Sequence, residues 1–257
     1  MSSFDSASSR GHVDVVEVLL KCNARVDVFD NEGRSALHLA ADCGSMEVCQ
    51  SLLEKNAFVN SKTKKGMTSL HFVASKGFTA LVEYLVTKHG AAIESLTIKK
   101  QTPMHMAAAA GKLDTIDKLI ELEAMVDFND ELDQKPIHLA AQVGCTQLTL
   151  LCGAIIHVQN DHTEVVKQFL EIRPSLVSST TKDGNTLAHL AAKKGSVDVL
   201  QVSSVMSHVS LITSCFLLQA MFDIDSALVT QAKNRFNENT PLHLATEGGH
   251  LEAVKIM

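Results

Sequence analysis

RSALHLAADCGSMEVCQSLL, residues 34–53, decides the fold, because its plan returns along the chain. MTSLHFVASKGFTALVEYLV (67–86), QTPMHMAAAAGKLDTIDKLI (101–120), QKPIHLAAQ (134–142), NTLAHLAAKKGSVDVL (185–200) and NTPLHLATEGGHLEAVKIM (239–257) open alike. Each carries one histidine at the same point. The column is His38, His71, His105, His138, His189 and His243, with successive intervals of 33, 34, 33, 51 and 54. Self-similarity at a fixed period marks a repeat architecture. Three steps fit one period and two do not.

The long steps become regular when one segment is lifted from each. Without 143–159 AAQ joins NDHTEVVKQFL and the step falls to 34; without 202–219 the last step falls to 36. Both segments begin with Val and end with Gln, and both lack the Asp and Lys of the sequence around them. One reading makes them short introns translated in frame, since a GT donor reads as Val and a CAG acceptor as Gln. The other makes them loop insertions, which repeats accept on one face. Sequencing the mature transcript across both junctions separates the two. Cys145, Cys152, Cys215, His157 and His208 fall in these segments.

Each unit carries its own helix punctuation. Thr68, Thr102, Thr186, Thr240 and Ser35 stand where a hydroxyl caps a first helix, and Pro103, Pro136 and Pro241 occupy the first-turn position that needs no N–H. The L-H-L-A-A core offers Ala40, Ala41, Ala74, Ala107, Ala108, Ala140, Ala141, Ala191, Ala192 and Ala245 as a narrow face for the next layer. Gly44, Gly77, Gly111, Gly195 and Gly249 are expected to end that helix. A second helix follows, as in VDVVEVLLKC, where Val15, Val16, Leu19 and Leu20 make an apolar stripe of helical period. His12, His162 and His250 open such second helices. Strings such as 23–27, 56–60 and 123–127 then lead into polar turns with Gly33, Gly66 or Gly184, making hairpin fingers. The expected fold is all-α, a solenoid of stacked helix-turn-helix units with hairpin fingers. Its units run near 10–33, 34–66, 67–100, 101–133, 134–184, 185–238 and 239–257, as one array over 1–257.

Composition agrees with thin layers. The 257 residues are 46% hydrophobic and 20% charged, with ten Phe, one Tyr and no Trp, so few large rings serve one deep core. The formal charge of −6 supplies no overall field for phosphates, and stacking rings are scarce, which argues against nucleic acid. MSSFDSASSR lacks a basic region followed by an apolar run and is no secretory signal. Six scattered cysteines without a C-x-x-C pair read as reduced thiols of a cytoplasmic chain. Residues 202–222 are interrupted by His208 and hydroxyl residues, and their clean core falls short of the ~20 residues a membrane span needs. No membrane contact is expected of the segment itself.

No catalytic set emerges. GxGxxG, GxxxxGK[ST], HExxH and GxSxG are absent, and Cys22, Cys43 and Cys49 have no activating histidine outside the structural column. The column itself is no metal site, because layers stack about 10 Å apart, too far for consecutive imidazoles to share a zinc with ligands ~2.0–2.1 Å away. Those histidines are expected to hydrogen-bond neighbouring units together. The reading is no enzyme, no cofactor and no metal. Binding then falls to the fingers: Asp27, Asp30 and Glu32 make the first acidic, Lys62, Lys64, Lys65, Lys99 and Lys100 the next two basic, and Asp127, Asp130, Glu131 and Asp133 the fourth acidic. Solvated loop tips would look the same; the sharper reading is a groove for a mixed-charge protein partner.

A turn and two helices in about 33 residues, opening on a TPLHLAA-like string, resembles the ankyrin repeat. GHVDVVEVLLKCNARVDVFDNEGRSALHLAA (11–41), KKQTPMHMAAAAG (99–111), DQKPIHLAAQ (133–142) and RPSLVSSTTKDGNTLAHLAAKKGSVDV (173–199) look more specifically like the amino-terminal array of the no-mechanoreceptor-potential-C (TRPN) transient receptor potential channels. That resemblance implies a cytosolic elastic tether between a cation-channel pore and microtubules, carried by the stacked faces as a whole. The chain lacks that family's pore helices. It opens halfway through a unit and stops at Met257 inside a second helix, which fits a fragment of a longer array. The alternative is a soluble adaptor or regulatory scaffold subunit that binds a protein partner on its concave face. Further repeats and a membrane domain downstream would mark the first; a capping unit and stop codon would mark the second.

Overall fold

The computed structural model describes residues 7–8, 10–22, 24–143, 161–196, 233–234 and 238–256. Residues 144–159 and 202–219, and with them Cys145, Cys152, Cys215, His157 and His208, lie outside the described residues. The chain divides into two compact units, residues 1–125 and 126–257.

In the first unit, α1 (Val13–Lys21) is a second helix, followed by three helix pairs. These are α2 (Ala36–Cys43) with α3 (Met46–Glu54), α4 (Ser69–Lys76) with α5 (Thr79–His89), and α6 (Pro103–Ala109) with α7 (Leu113–Glu121). First helix meets first helix, with α4 packed between α2 and α6; second helix meets second helix, α1 on α3 and α5 on α7. The second unit contains α8 (Pro136–Val143), α9 (Asp161–Ile172), a 3₁₀ turn (Pro174–Ser178), α10 (Leu187–Lys194), α11 (Pro241–Glu247) and α12 (Leu251–Ile256). There α8 packs on α9 and α10, and α10 on α11. Among the described residues the only β feature is an isolated bridge between Thr180 and Thr186, so the fold is all-α.

Residue size explains the layering. All ten alanines of the small-residue face are 0% exposed, so the small face of each first helix is covered completely. Larger apolar side chains come from both helices of a pair: Leu37, Leu70 and Met104 from first helices, and Val48 with Leu52, Leu81 with Leu85 and Ile116 with Leu119 at helical spacing on second helices, all nearly sealed from solvent. At Gly44 (φ +75°) an added Cβ would lie 2.4 Å from the Phe78 ring, so a residue of the next layer fills the place a side chain would take. Not every expected stop falls on its glycine: α6 has its C-cap at Ala110 and α11 at Gly248, with Gly111 and Gly249 one residue further.

Capping is reciprocal. At Thr102 the hydroxyl accepts from the His105 N–H at 3.4 Å while the Thr102 N–H donates to His105 Nδ1 at 3.2 Å. Ser35, Thr68, Thr186 and Thr240 repeat the arrangement, with histidine where a capping box usually has Glu or Gln. The exception is α8, whose cap position holds Lys135; its N–H reaches His138 Nδ1 at 3.1 Å, but it has no hydroxyl to return. Lys135→Thr is therefore expected to raise stability by about 1 kcal/mol, measured by urea unfolding; an unchanged or lower midpoint would contradict this.

Candidate protein-binding surface

The histidine column supplies the rigid backing of the fingers. His38 Nδ1 accepts from the Ser35 N–H at 3.0 Å, so the ring proton sits on Nε2, which donates to the carbonyls of Ser61 (3.0 Å) and Met67 (3.2 Å) in the next finger. His71 Nε2 donates to Gln101 O at 3.1 Å, His138 to Ser179 O at 3.3 Å and His189 to Asn239 O at 3.0 Å. Each imidazole thus caps its own helix and holds the next finger. Burial drives the pKa of His71 down to about 4, with Lys62 nearby adding to the depression despite the Gln101 carbonyl. His38 is lowered for the same leading reason. These are neutral structural rings. Among the described residues no group of three or more His, Cys, Asp or Glu could hold a metal. Cys49 is buried and pushed up to about 12, so it is a thiol and not a nucleophilic thiolate.

Each finger turn is closed by an oxygen in a fixed column. Asp30 accepts from the N–H groups of Glu32 (2.9 Å) and Arg34 (2.8 Å), and its second oxygen takes the Arg34 guanidinium. Asp130 accepts from Leu132 and Gln134, both at 2.9 Å. Thr63, Thr97 and Thr181 do the same for Met67, Gln101 and Asn185. Burial acts to raise the Asp30 carboxyl, but the hydrogen bonds from Arg34 and Glu32 and the Arg34 charge outweigh it and leave its pKa lowered. Successive fingers are laced by backbone bonds: Lys64 N–H to Glu32 O at 2.9 Å, Ile98 N–H to Lys65 O at 3.0 Å and, in the second unit, Lys182 N–H to Leu132 O at 2.9 Å.

The structure therefore sorts the finger residues singled out in the sequence. Asp30 and Asp130 turn inward, with 5% exposure of the Asp30 side chain and of Asp130; they lock turns. Glu32, Lys64, Lys65, Lys99, Lys100, Glu131 and Asp133 are exposed. Lys62 is exposed but ties its ammonium to Leu96 O at 3.0 Å in the next finger. The lacing brings Lys64 and Lys65 beside Ile98 and Lys99.

A second inter-layer column escaped the sequence reading. Asn60 accepts from Ala92 N–H at 2.8 Å and donates to Gly90 O at 3.3 Å, Glu94 accepts from Met125 N–H at 2.7 Å, and Asp127 pairs with Arg173. Residues 60, 94 and 127 keep the period of the histidines, and that register was the available signal.

One turn position needs positive φ. It holds Gly33 (+75°), Gly66 (+76°) and Gly184 (+78°), yet also Lys100 (+57°) and Asp133 (+54°). A Cβ on Gly66 would lie 2.8 Å from Ile98 N, against the bond that laces the fingers. Gly66→Ala is expected to cost about 2 kcal/mol from left-handed strain and the displaced backbone, whereas Lys100→Gly should gain about 1 kcal/mol. Thermal melts of the two variants check the opposite signs; shifts in the same direction would refute them.

Comparison with known proteins agrees with the geometry. The family profile described as ankyrin repeats (3 copies) matches residues 5–63, 70–160 and 151–257, and that described as ankyrin repeats (many copies) matches 43–86. A Caenorhabditis elegans transient receptor potential cation channel subfamily A member 1 homolog is 27% identical over 132 residues, 46% of this chain but 11% of that protein. The crystal structure of the human ASB11 ankyrin repeat domain superposes with a TM-score of 0.75 at 20% identity, covering 100% of this chain and 97% of that one; it attests the fold alone. Buried neutral histidines, small-residue faces and laced fingers recur through both units, and the chain belongs to the ankyrin-repeat family.

Proposed function

We propose that the chain is a non-catalytic protein-interaction and elastic tether segment, resembling the cytosolic ankyrin array of a mechanosensory cation channel. The observation that carries the interaction part is the contrast within the fingers: their backbones are held by buried side chains while Glu32, Lys64, Lys65, Lys99 and Lys100 face solvent. Such a surface is rigid and chemically open, as repeat arrays present to partners. The channel-tether part is supported by the TRP-channel homolog, of which the matched region is a small part. Among the described residues no helix is long and apolar enough to cross a membrane; on this reading the pore lies outside the described residues. A cytoplasmic location and a microtubule partner follow from the same reading. Co-sedimentation of the full chain with stabilised microtubules tests it, with enrichment in the pellet expected and a chain left in the supernatant contradicting the cytoskeletal partner.

The second reading, a soluble adaptor or scaffold subunit, draws on the same exposed finger side chains and needs no channel. Sequencing the transcript in the 3′ direction separates the two: further repeats and a membrane domain favour the tether, a capping unit and stop codon the adaptor. We also infer that segments 143–159 and 202–219 are translated introns within one array of repeats. Supporting this for the first segment, α9 (Asp161–Ile172) packs on α8 as a second helix packs on a first in the other unit.

A further inference from the structure

We propose that the tips of the second and third fingers form a docking strip for an acidic, extended segment of a partner protein, with carboxylates flanking an aliphatic side chain. This deepens the interaction reading above and rests on it. Lys64, Lys65, Lys99 and Lys100 are exposed, and none forms an ion pair among the described residues, whereas some helix lysines do: Lys76 with Asp42, Lys118 with Glu83 and Glu121, Lys167 with Glu164. In a chain of formal charge −6, four ammonium groups on two adjoining tips, without an ion pair among the described residues, make a local positive field.

The strip is built, not incidental crowding of long side chains. Ile98 N–H bonded to Lys65 O at 3.0 Å and Lys62 Nζ bonded to Leu96 O at 3.0 Å fix the two tips against each other. Between the lysine pairs stands Ile98, 68% exposed, an apolar contact of the kind that gives an interface its anchor. Lys100 holds its place at φ +57° where the preceding fingers have Gly33 and Gly66, so a charged side chain occupies a position whose backbone favours none.

Charge complementarity selects the occupant. Carboxylates spaced along an extended backbone can reach successive lysines, and a leucine or valine between them can cover Ile98. A nucleic acid fits less well, because the strip has an aliphatic side chain where bases would need rings to stack on. Glu32, exposed on the first finger, whose carbonyl accepts the Lys64 N–H, also bounds the strip on that side against a longer polyanion. Each exposed lysine contributes little alone, so the docking should be weak and salt-sensitive.

The probe is a fluorescent glutamate-rich peptide with one central leucine, titrated into the full chain by anisotropy. Micromolar binding is expected, with a loss of about tenfold or more for Lys64→Glu with Lys65→Glu, and for Lys99→Glu with Lys100→Glu. A several-fold loss is expected for Ile98→Ser, and weakening as salt rises. The glutamine analogue of the peptide should not bind. Unchanged affinity in the charge-reversed chains would overturn the proposal, as would absence of binding, or equally tight binding of single-stranded DNA or phosphatidylserine vesicles. Acetylation footprinting on the unaltered chain gives a readout without variants: the peptide should protect Lys64, Lys65, Lys99 and Lys100, and unprotected lysines count against the strip. If the peptide fails while microtubule co-sedimentation persists unchanged in the charge-reversed chain, this inference falls and the wider interaction reading stands.

Discussion

Alanine in place of His71 is expected to lower the unfolding free energy by about 3–5 kcal/mol, seen as a large drop in the urea midpoint with little change in slope. The ring is fully buried and works at both ends. Nδ1 accepts from the Thr68 N–H at 3.1 Å and lies 2.9 Å from its hydroxyl, and Nε2 donates to Gln101 O at 3.1 Å. Removal strands a buried N–H and a carbonyl, each costing roughly 1–3 kcal/mol when left unmade, and opens a cavity between layers. His243 is the control: it bonds Thr240 in the same way but is exposed. His243→Ala should cost about 1 kcal/mol, the loss of a cap. Equal effects from the two substitutions would mean the column does not join layers.

Acid should dismantle the array through the same rings. His71 titrates near 4 in the fold against about 6.5 for a free imidazole, so between these values the unfolded chain binds the extra proton. The stabilising contribution is complete above pH 6.5 and is lost as pH falls through 4, on the order of 3 kcal/mol for this ring alone. His38 acts in the same direction. Asp30, held below the ordinary carboxyl value, contributes stability that disappears at still lower pH. Asp117 has the opposite sign, its carboxyl raised by partial burial and by Asp114 and Glu121, but it lies on an exposed face where salt screens the effect. Denaturant midpoints should decline steadily from pH 7 to 4.5; a flat profile over that interval would contradict the burial of these rings.

The repeat was legible because its determinants are local and periodic. A cap, a histidine three positions later, one or two alanines and a glycine return together at one short period, and each does its work within one helix or against a similar neighbour. Even the defective cap of α8 is visible as Lys135 where the other caps have a hydroxyl. The fingers were less legible, because charge alone does not tell a side chain that meets solvent from one that folds back. Asp30 and Glu32 look alike in sequence, yet one closes a turn and the other is exposed. Column comparison separates them: position 30 aligns with Thr63, Thr97, Asp130 and Thr181, all able to accept a backbone N–H, whereas position 32 aligns with Lys65 and Lys99. The bonds of Asn60 and Glu94 depend on where the next layer's backbone arrives, which is tertiary information that hydrophobic pattern does not carry.

Nitrogen-15 chemical shifts of the imidazoles, followed from pH 7.5 to 4.5, test the central claim most directly, that neutral histidines zip one layer to the next. His38, His71, His138 and His189 should show the Nε2–H tautomer with a hydrogen-bonded proton. Neither His38 nor His71 should titrate near 6.5, and His71 should stay neutral to about 4. Rings in rapid tautomeric exchange that titrate together near 6.5 would contradict it.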